Sequence, residues 1–420
     1  MSSKIWSERE EGQRRRPGST RGRGGPSEKM SSSSPEYRGP IDRTLVAVVL
    51  SLCGFGLMAV YSASAPEAQQ SFQDSTALLR KQTMAFVIGL FSMFTVSRYD
   101  YRKIKKFAWP LSMLALFSLG LTLVPGMSIT TMGSSRWLSL GPIQFQPSEL
   151  AKLATIILLA SGLSKYFWWH RQIFCRIAVI LIMAAIVVKQ PDLGSASMIM
   201  ASLLTLIYAS GTNSLLIFAS LAGGVSLVWH HIQKTPYQMA RIETWLNPYL
   251  HPQKEGWNII QAQYAIGSGG LWGQGFGRSL QKLYYLPVQF ADFIFAVIAE
   301  EFGLIGCTLL IGLFGIFGYY GFKTALASKT MFGRFLAIGI TSEICTQAVI
   351  NMMVTTGLLP VTGITLPFIS YGGTSMVITL SMVGILLSIS RDRVAVDEDE
   401  EESHTPNSPV APGHIHPLRR

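Results

Sequence analysis

Long apolar runs separated by short charged turns dominate this sequence, and they leave little choice of architecture. The runs are about 17–25 residues long, the length an α-helix needs to cross a bilayer, and they lack the periodic spacing of half-buried helices or strands. With 49% of the 420 residues hydrophobic and only 14% charged, the expected fold is all-α: a polytopic membrane protein with ten transmembrane helices. The spans are expected at approximately 44–64, 80–97, 107–124, 149–167, 172–188, 194–210, 214–231, 291–322, 334–356 and 372–390. Backbone polar groups in hydrocarbon must be satisfied within the segment, which is why such runs read as helices.

Charge sets the expected orientation. Residues 1–40 carry seven arginines among Ser, Gly and Pro, and placing this tail inside also puts Arg98, Arg102, Lys103, Lys105, Lys106, Lys165, Arg171, Arg176, Lys323, Lys329, Arg334, Arg391 and Arg393 inside. Both termini are then cytoplasmic, and the segments 125–148, 232–290 and 357–371 lie outside. The 232–290 segment is a large extracytoplasmic loop between helices 7 and 8, long enough for a lid or short re-entrant helices. Three regions follow: a basic tail over 1–40, a membrane domain over 41–391, and a tail over 392–420 with the acidic run Asp397–Glu402. Both tails have the composition of disordered segments. The basic tail is read as a topology signal that touches anionic membrane lipid, with no nucleic-acid partner. No cleavable signal is expected, because the first apolar run begins only after Arg43. Cys53, Cys175, Cys307 and Cys345 stand singly in apolar segments, without metal-ligand spacing.

Ionised groups at the edge of a hydrocarbon layer are costly unless paired or functional. Asp292 stands at such an edge, where the long loop gives way to Phe293-Ile-Phe-Ala-Val-Ile-Ala299, and it is the only acidic residue between Glu255 and Glu300. Glu149 and Lys152, three apart at the start of span four, are expected to form a structural ion pair, with a role for Lys152 at an anionic ligand as the alternative. Glu343, Gln347, Asn351 and Thr355 recur every four residues and so share one face of span nine, suited to holding helices together or to lining a cavity. Asp192 is placed to cap span six. Six glycines between Gly267 and Gly277 permit either a flexible interfacial turn or close approach of backbone N–H groups to a phosphate. The outward cations Arg136, Arg241, Lys254, Arg278 and Lys282 do not serve topology and suit an anionic lipid-linked ligand such as a pyrophosphate.

Several of these stretches resemble the SEDS proteins (shape, elongation, division and sporulation). They are Leu271-Trp-Gly-Gln-Gly-Phe-Gly-Arg-Ser-Leu-Gln-Lys-Leu283, Leu286-Pro287, Asp292-Phe-Ile-Phe295 with Glu300-Glu301, and Gly357-Leu-Leu-Pro360 through Leu366-Pro-Phe-Ile-Ser-Tyr-Gly-Gly-Thr374. Arg136-Trp137, Gln146-Pro-Ser-Glu149 with Lys152, Gln190-Pro-Asp-Leu-Gly194 and Asn247-Pro248 match further motifs in order, so that the resemblance covers about residues 41–391. Gly-Gln-Gly-Phe-Gly and Ser-Leu-Gln-Lys-Leu resemble the division branch of the family more than the elongation branch. One departure stands beside the aspartate: Phe290-Ala291 and Pro287-Val288 replace the family's His-Thr and Pro-Glu.

The resemblance implies a peptidoglycan glycosyltransferase of the bacterial cytoplasmic membrane, acting at the division septum. It would polymerise lipid II on the outer face, with the growing glycan chain, a class B penicillin-binding protein and other division proteins as partners. For that reaction Asp292, the only acid between Glu255 and Glu300 and set at the outer interface, is assigned as the catalytic base, and Arg136, Lys152, Arg241, Lys282, Asn351 and Ser370 as substrate contacts. No resident cofactor is expected beyond a divalent cation, Mg or Mn, for which Asp292 is the candidate ligand. Rival readings of the same chain are an elongation-type polymerase, a transporter that flips lipid II, and a non-catalytic division scaffold.

Overall fold

A computed structural model describes residues 39–124, 128–131, 134–140, 143–253, 256–281 and 290–392. Helix α1 (Arg43–Phe72) opens on Asp42, whose carboxylate accepts from the Thr44 and Leu45 amides, the usual way the free N–H groups of a first turn are satisfied. It is followed by α2 (Ala77–Arg98) and α3 (Tyr101–Leu121). A ribbon that the sequence reading did not foresee comes next, with β1 (Ser128–Thr131), β2 (Ser134–Leu140) and β3 (Ile143–Phe145) antiparallel in that order. Pro147 then starts α4 (Pro147–Leu163), where a missing N–H costs nothing. Helices α5 (Arg171–Lys189), α6 (Leu193–Ala209) and α7 (Ser214–Gln233) lead into the long loop. That loop folds as α8 (Pro236–Leu246), a 3₁₀ turn and α9 (Trp257–Gly269). The chain closes with α10 (Ile294–Leu326), α11 (Met331–Thr355) and α12 (Gly373–Ser390).

Among the described residues eight helices, α1, α2, α3, α5, α7, α10, α11 and α12, are long and apolar enough to cross a membrane. The ten expected spans also counted α4 and α6, which have 17 residues each. Helix α4 is the axis of the bundle: every residue but Leu150 is buried, as expected of a helix enclosed on all sides. It runs from the ribbon to Ser164, whose hydroxyl accepts from Lys105 at the far end of α3. Helix α12 packs along α2 and is buried over most of its length. The Gly39 amide donates to the Arg391 carbonyl at 2.9 Å, so both ends of the helical domain meet on one face. The ribbon, α8, α9 and the segment 357–371 gather at the other.

Helix α10 is broken. Gly303 has φ 64° and ψ −163°, in the left-handed half of the map that glycine enters freely. The glycine-rich run fills the break: the amides of Gln274 and Gly275 donate to the Glu300 and Glu301 carbonyls, and those of Leu304 and Ile305 donate to the Gly270 and Leu271 carbonyls. Such an approach demands glycine, since a Cβ on Gly303 would lie 2.6 Å from the Leu271 carbonyl and against the Gly273 amide. Glu300 and Glu301 are buried at this joint, where Glu300 accepts from the Ser279 hydroxyl and the Leu280 amide, and Glu301 from the Ser62 hydroxyl at 2.5 Å. The run is therefore part of the α10 joint, and the two glutamates serve that joint.

Candidate active site

Asp292 lies in the turn just before α10, at the ribbon face. Three side-chain and backbone groups grip this turn. The Tyr371 amide donates to the Phe290 carbonyl at 2.9 Å, the Ser370 hydroxyl to the Ala291 carbonyl at 2.5 Å, and the Asn351 amide to the Asp292 carbonyl at 3.0 Å. Asn351 also donates to the Ile364 carbonyl at 2.7 Å, and Ser370 accepts from the Leu366 amide at 2.8 Å. Both side chains are buried, so their contacts are with the backbone around Asp292. The Phe290 ring stands edge-on to Tyr371 at 5.5 Å, and Phe293 packs among Ala262, Ala265, Ala296 and Val361. The departure from the family's His-Thr thus places an aromatic packing residue and a small residue, neither able to exchange a proton, beside the aspartate.

Two arginines converge here. Arg136, on β2, donates from Nε to the Gln190 carbonyl at 3.4 Å and from Nη2 to the Pro191 carbonyl. Gln190 in turn donates to the Leu119 carbonyl at 3.2 Å and the Thr122 hydroxyl at 2.5 Å, which fixes the ribbon to the α5–α6 turn. Arg241, on α8, donates from Nη1 to the Val361 carbonyl at 3.0 Å. Gly363 explains how the charges meet: its φ is 71°, and a Cβ there would lie 3.5 Å from Arg136 Nη1 and 3.6 Å from Asp292 Oδ2. Both charged groups border the space over that glycine. Burial pushes the Asp292 carboxyl up to about 6; Arg136 opposes the push, Asp192 adds to it, and Arg241 opposes it. Asp192 caps α6, its carboxylate accepting from the Ser195 amide at 3.0 Å and hydroxyl at 2.8 Å.

Beneath this pair the bundle holds a polar network. Lys152 Nζ is 3.0 Å from Glu149 Oε1, 3.9 Å from Glu343 Oε1 and 2.6 Å from the Gln347 side-chain carbonyl. Glu343 accepts from Ser202, and Gln347 donates to the Thr365 carbonyl at 3.0 Å. A cavity of about 20 Å³, bordered by Gln146, Glu149, Lys152, Ser195, Gly363 and Thr365, lies between the network and Gly363. It has room for about one water. Lys152 is buried at 2% exposure and fully engaged within the bundle, which places it below the site. Lys254, Lys282 and Pro287-Val288 lie outside the described residues. Among the described residues no group of three or more His, Cys, Asp or Glu side chains is arranged to hold a metal ion.

A family profile described as cell cycle protein, which takes in FtsW, RodA and SpoVE, matches residues 43–395. The chain belongs to this family. It is 39% identical over 353 residues to a protein of Trichlorobacter lovleyi named probable peptidoglycan glycosyltransferase FtsW, covering 83% of this chain and 93% of that one. It is also 39% identical over 358 residues to stage V sporulation protein E of Bacillus subtilis, covering 83% and 97%. Among solved structures, a chain of a peptidoglycan synthase complex that coordinates polymerization and crosslinking superposes with a TM-score of 0.71 at 30% identity, covering 84% of this chain and 99% of that one. The rod shape determining protein RodA of Thermus thermophilus superposes with a TM-score of 0.63 at 28% identity, covering 84% and 97%.

Sequence reasoning had not singled out Gly363 or Gly303. A glycine in Pro360-Val-Thr-Gly363 was the available signal for the first. Gly303, inside an unbroken apolar run, carried none.

Proposed function

We propose that this chain is a peptidoglycan glycosyltransferase of the division type, polymerising lipid II at the outer face of the cytoplasmic membrane. The observation that carries the reading is the buried Asp292 carboxylate, set beside Arg136 over Gly363 with Arg241 close by and raised to about 6 by burial, at the face where the exterior loops gather. A base with a value near the working pH is both largely ionised and able to take a proton.

In this reading Asp292 removes the proton from the 4-hydroxyl of the incoming sugar as that oxygen attacks the anomeric carbon of the lipid-linked glycan. The bond from that carbon to the pyrophosphate oxygen breaks, and its electron pair leaves with the pyrophosphate. Arg136 and Arg241 stabilise the departing charge, each positioned by a backbone carbonyl. Asp292 then releases its proton to water. Asn351, Ser370 and Gly363 position the turn and keep the space between Asp292 and Arg136 open. Asp292 is the candidate ligand for a divalent cation, which would supply charge neutralisation beside the substrate phosphate.

Ten crossings with both termini cytoplasmic, location at the septum, and assembly with a class B penicillin-binding protein complete the proposal. The Gly39–Arg391 contact, which brings both ends of the described helices to one face, and the likeness to a synthase-complex chain support it. The deciding experiment is polymerisation of purified lipid II by wild type and Asp292→Asn, with and without the partner. Loss of the base should cost about 10²–10⁴ in rate, with insertion and partner binding intact. A variant that polymerises near the wild-type rate would remove Asp292 from catalysis.

A further inference from the structure

At the termini face, away from Asp292, α3, α4 and α5 bring together three cations that no carboxylate offsets. Arg176, in the second turn of α5, is 8% exposed. Its Nη1 donates to the Leu158 carbonyl at 2.9 Å and to the Ser161 hydroxyl oxygen at 2.8 Å, while its buried Nε has no hydrogen-bond partner. The guanidinium carbon lies 5.4 Å from the centre of the Trp109 ring. Lys105 donates to the Ser164 hydroxyl at 2.8 Å, Lys165 sits 5.2 Å over the Tyr166 ring, and both Lys165 and Arg176 are near enough to Lys105 to repel its charge. Among the described residues none of the three forms an ion pair. Of the acids on this face, Asp42 and Asp100 cap α1 and α3, and Asp392 is engaged by Arg102 at 2.7 Å and Lys329 at 4.0 Å.

Positive charge at one end of a bundle satisfies topology whether it is dispersed or clustered. Convergence on one buried guanidinium needs another cause, and the surroundings supply it. Trp109, Met113 and Phe117 are exposed at successive i, i+4 positions of α3, so an apolar stripe runs from the cations toward the middle of the layer. Trp169 is 58% exposed beside them, where an indole ring suits a membrane interface. A cationic recess at the mouth of an apolar stripe matches a phosphodiester joined to acyl chains.

We propose that Lys105, Lys165 and Arg176 form a binding site for the headgroup of an anionic phospholipid, its acyl chains lying along Trp109, Met113 and Phe117. The site is independent of the reaction proposed above. Native mass spectrometry of the full chain in mild detergent tests it, with phosphatidylglycerol and phosphatidylcholine as probes. Phosphatidylglycerol should be retained preferentially. Lys105→Gln with Lys165→Gln should weaken retention on the order of thirtyfold, since each cation near an anionic headgroup contributes about a factor of five. Arg176 is left in place because it is buried. Lys103→Gln with Lys106→Gln removes the same amount of charge from the start of α3, outside the cluster, and should change retention less than about threefold. Equal losses in the two double variants would assign the effect to diffuse surface charge and overturn the proposal. So would equal retention of the two lipids, displacement by soluble glycerol phosphate, or binding that appears only after removal of residues 393–420, which would make the acidic run the occupant.

Discussion

Asp292 should set the acid limb of polymerisation. With its carboxyl at about 6 in place of the ordinary 3.8, the base is ionised to about nine-tenths at pH 7, one-half at pH 6 and one-tenth at pH 5. The initial rate should therefore fall about tenfold from pH 7 to pH 5, whereas a carboxylate of ordinary acidity would lose only about 6% over that interval. The neighbours give the sign of two further shifts. Arg136→Gln removes a charge that holds the value down, so the midpoint should rise; Asp192→Asn removes one that holds it up, so the midpoint should fall. Initial rates of lipid II consumption, measured in vesicles buffered identically on both sides, give all three profiles. A flat profile between pH 5 and 7, or a midpoint that neither variant moves, would refute the assignment. Linkage adds an independent readout. Between pH 3.8 and 6 the native state binds more protons at this group than the unfolded chain, so its contribution favours folding at low pH and is lost as pH rises through 6. Asp292→Asn should consequently melt above wild type at pH 8 and close to it at pH 4.

Lys152→Met leaves Glu149 and Glu343 without their shared cation in the bundle and should cost about 3–5 kcal/mol; thermal unfolding of the triple variant that also carries Glu149→Gln and Glu343→Gln should recover most of the loss. Gly303→Ala places a Cβ against the glycine-rich run in left-handed backbone and should cost at least about 2 kcal/mol. It should also open the joint to proteolysis near residue 271. Asn351→Ala leaves the carbonyls of Asp292 and Ile364 unpaired, at about 1–3 kcal/mol each, and should lower the polymerisation rate without altering the acid midpoint.

The helical architecture was legible because bilayer-length apolar runs admit one backbone solution, and Asp292 was legible because an isolated carboxylate at an apolar boundary is conspicuous. The stripe on α11 was visible too, since four-residue spacing defines a helix face; its partners on α4, α6 and the 357–371 segment were not, being set by packing between distant elements. The ribbon was overlooked although Ser134–Leu140 is rich in residues that tolerate strands, because its pairing depends on cross-strand contacts rather than periodicity. The glycine-rich run was readable only as backbone freedom. Its destination, a break at the tenth residue of α10, is a long-range backbone match that no local pattern encodes.

That match changes what can move. The carbonyls of Glu300 and Glu301 and the amides of Leu304 and Ile305 have exchanged their partners within α10 for the backbone of the glycine-rich run, so the run cannot lift away without stranding four polar groups in an apolar setting. The run thus splints α10 across Gly303, fixing the angle between the two turns that follow Asp292 and the rest of the helix. A push applied to the glycine-rich run is borne by both halves of α10 at once, through a linkage made entirely of main-chain atoms.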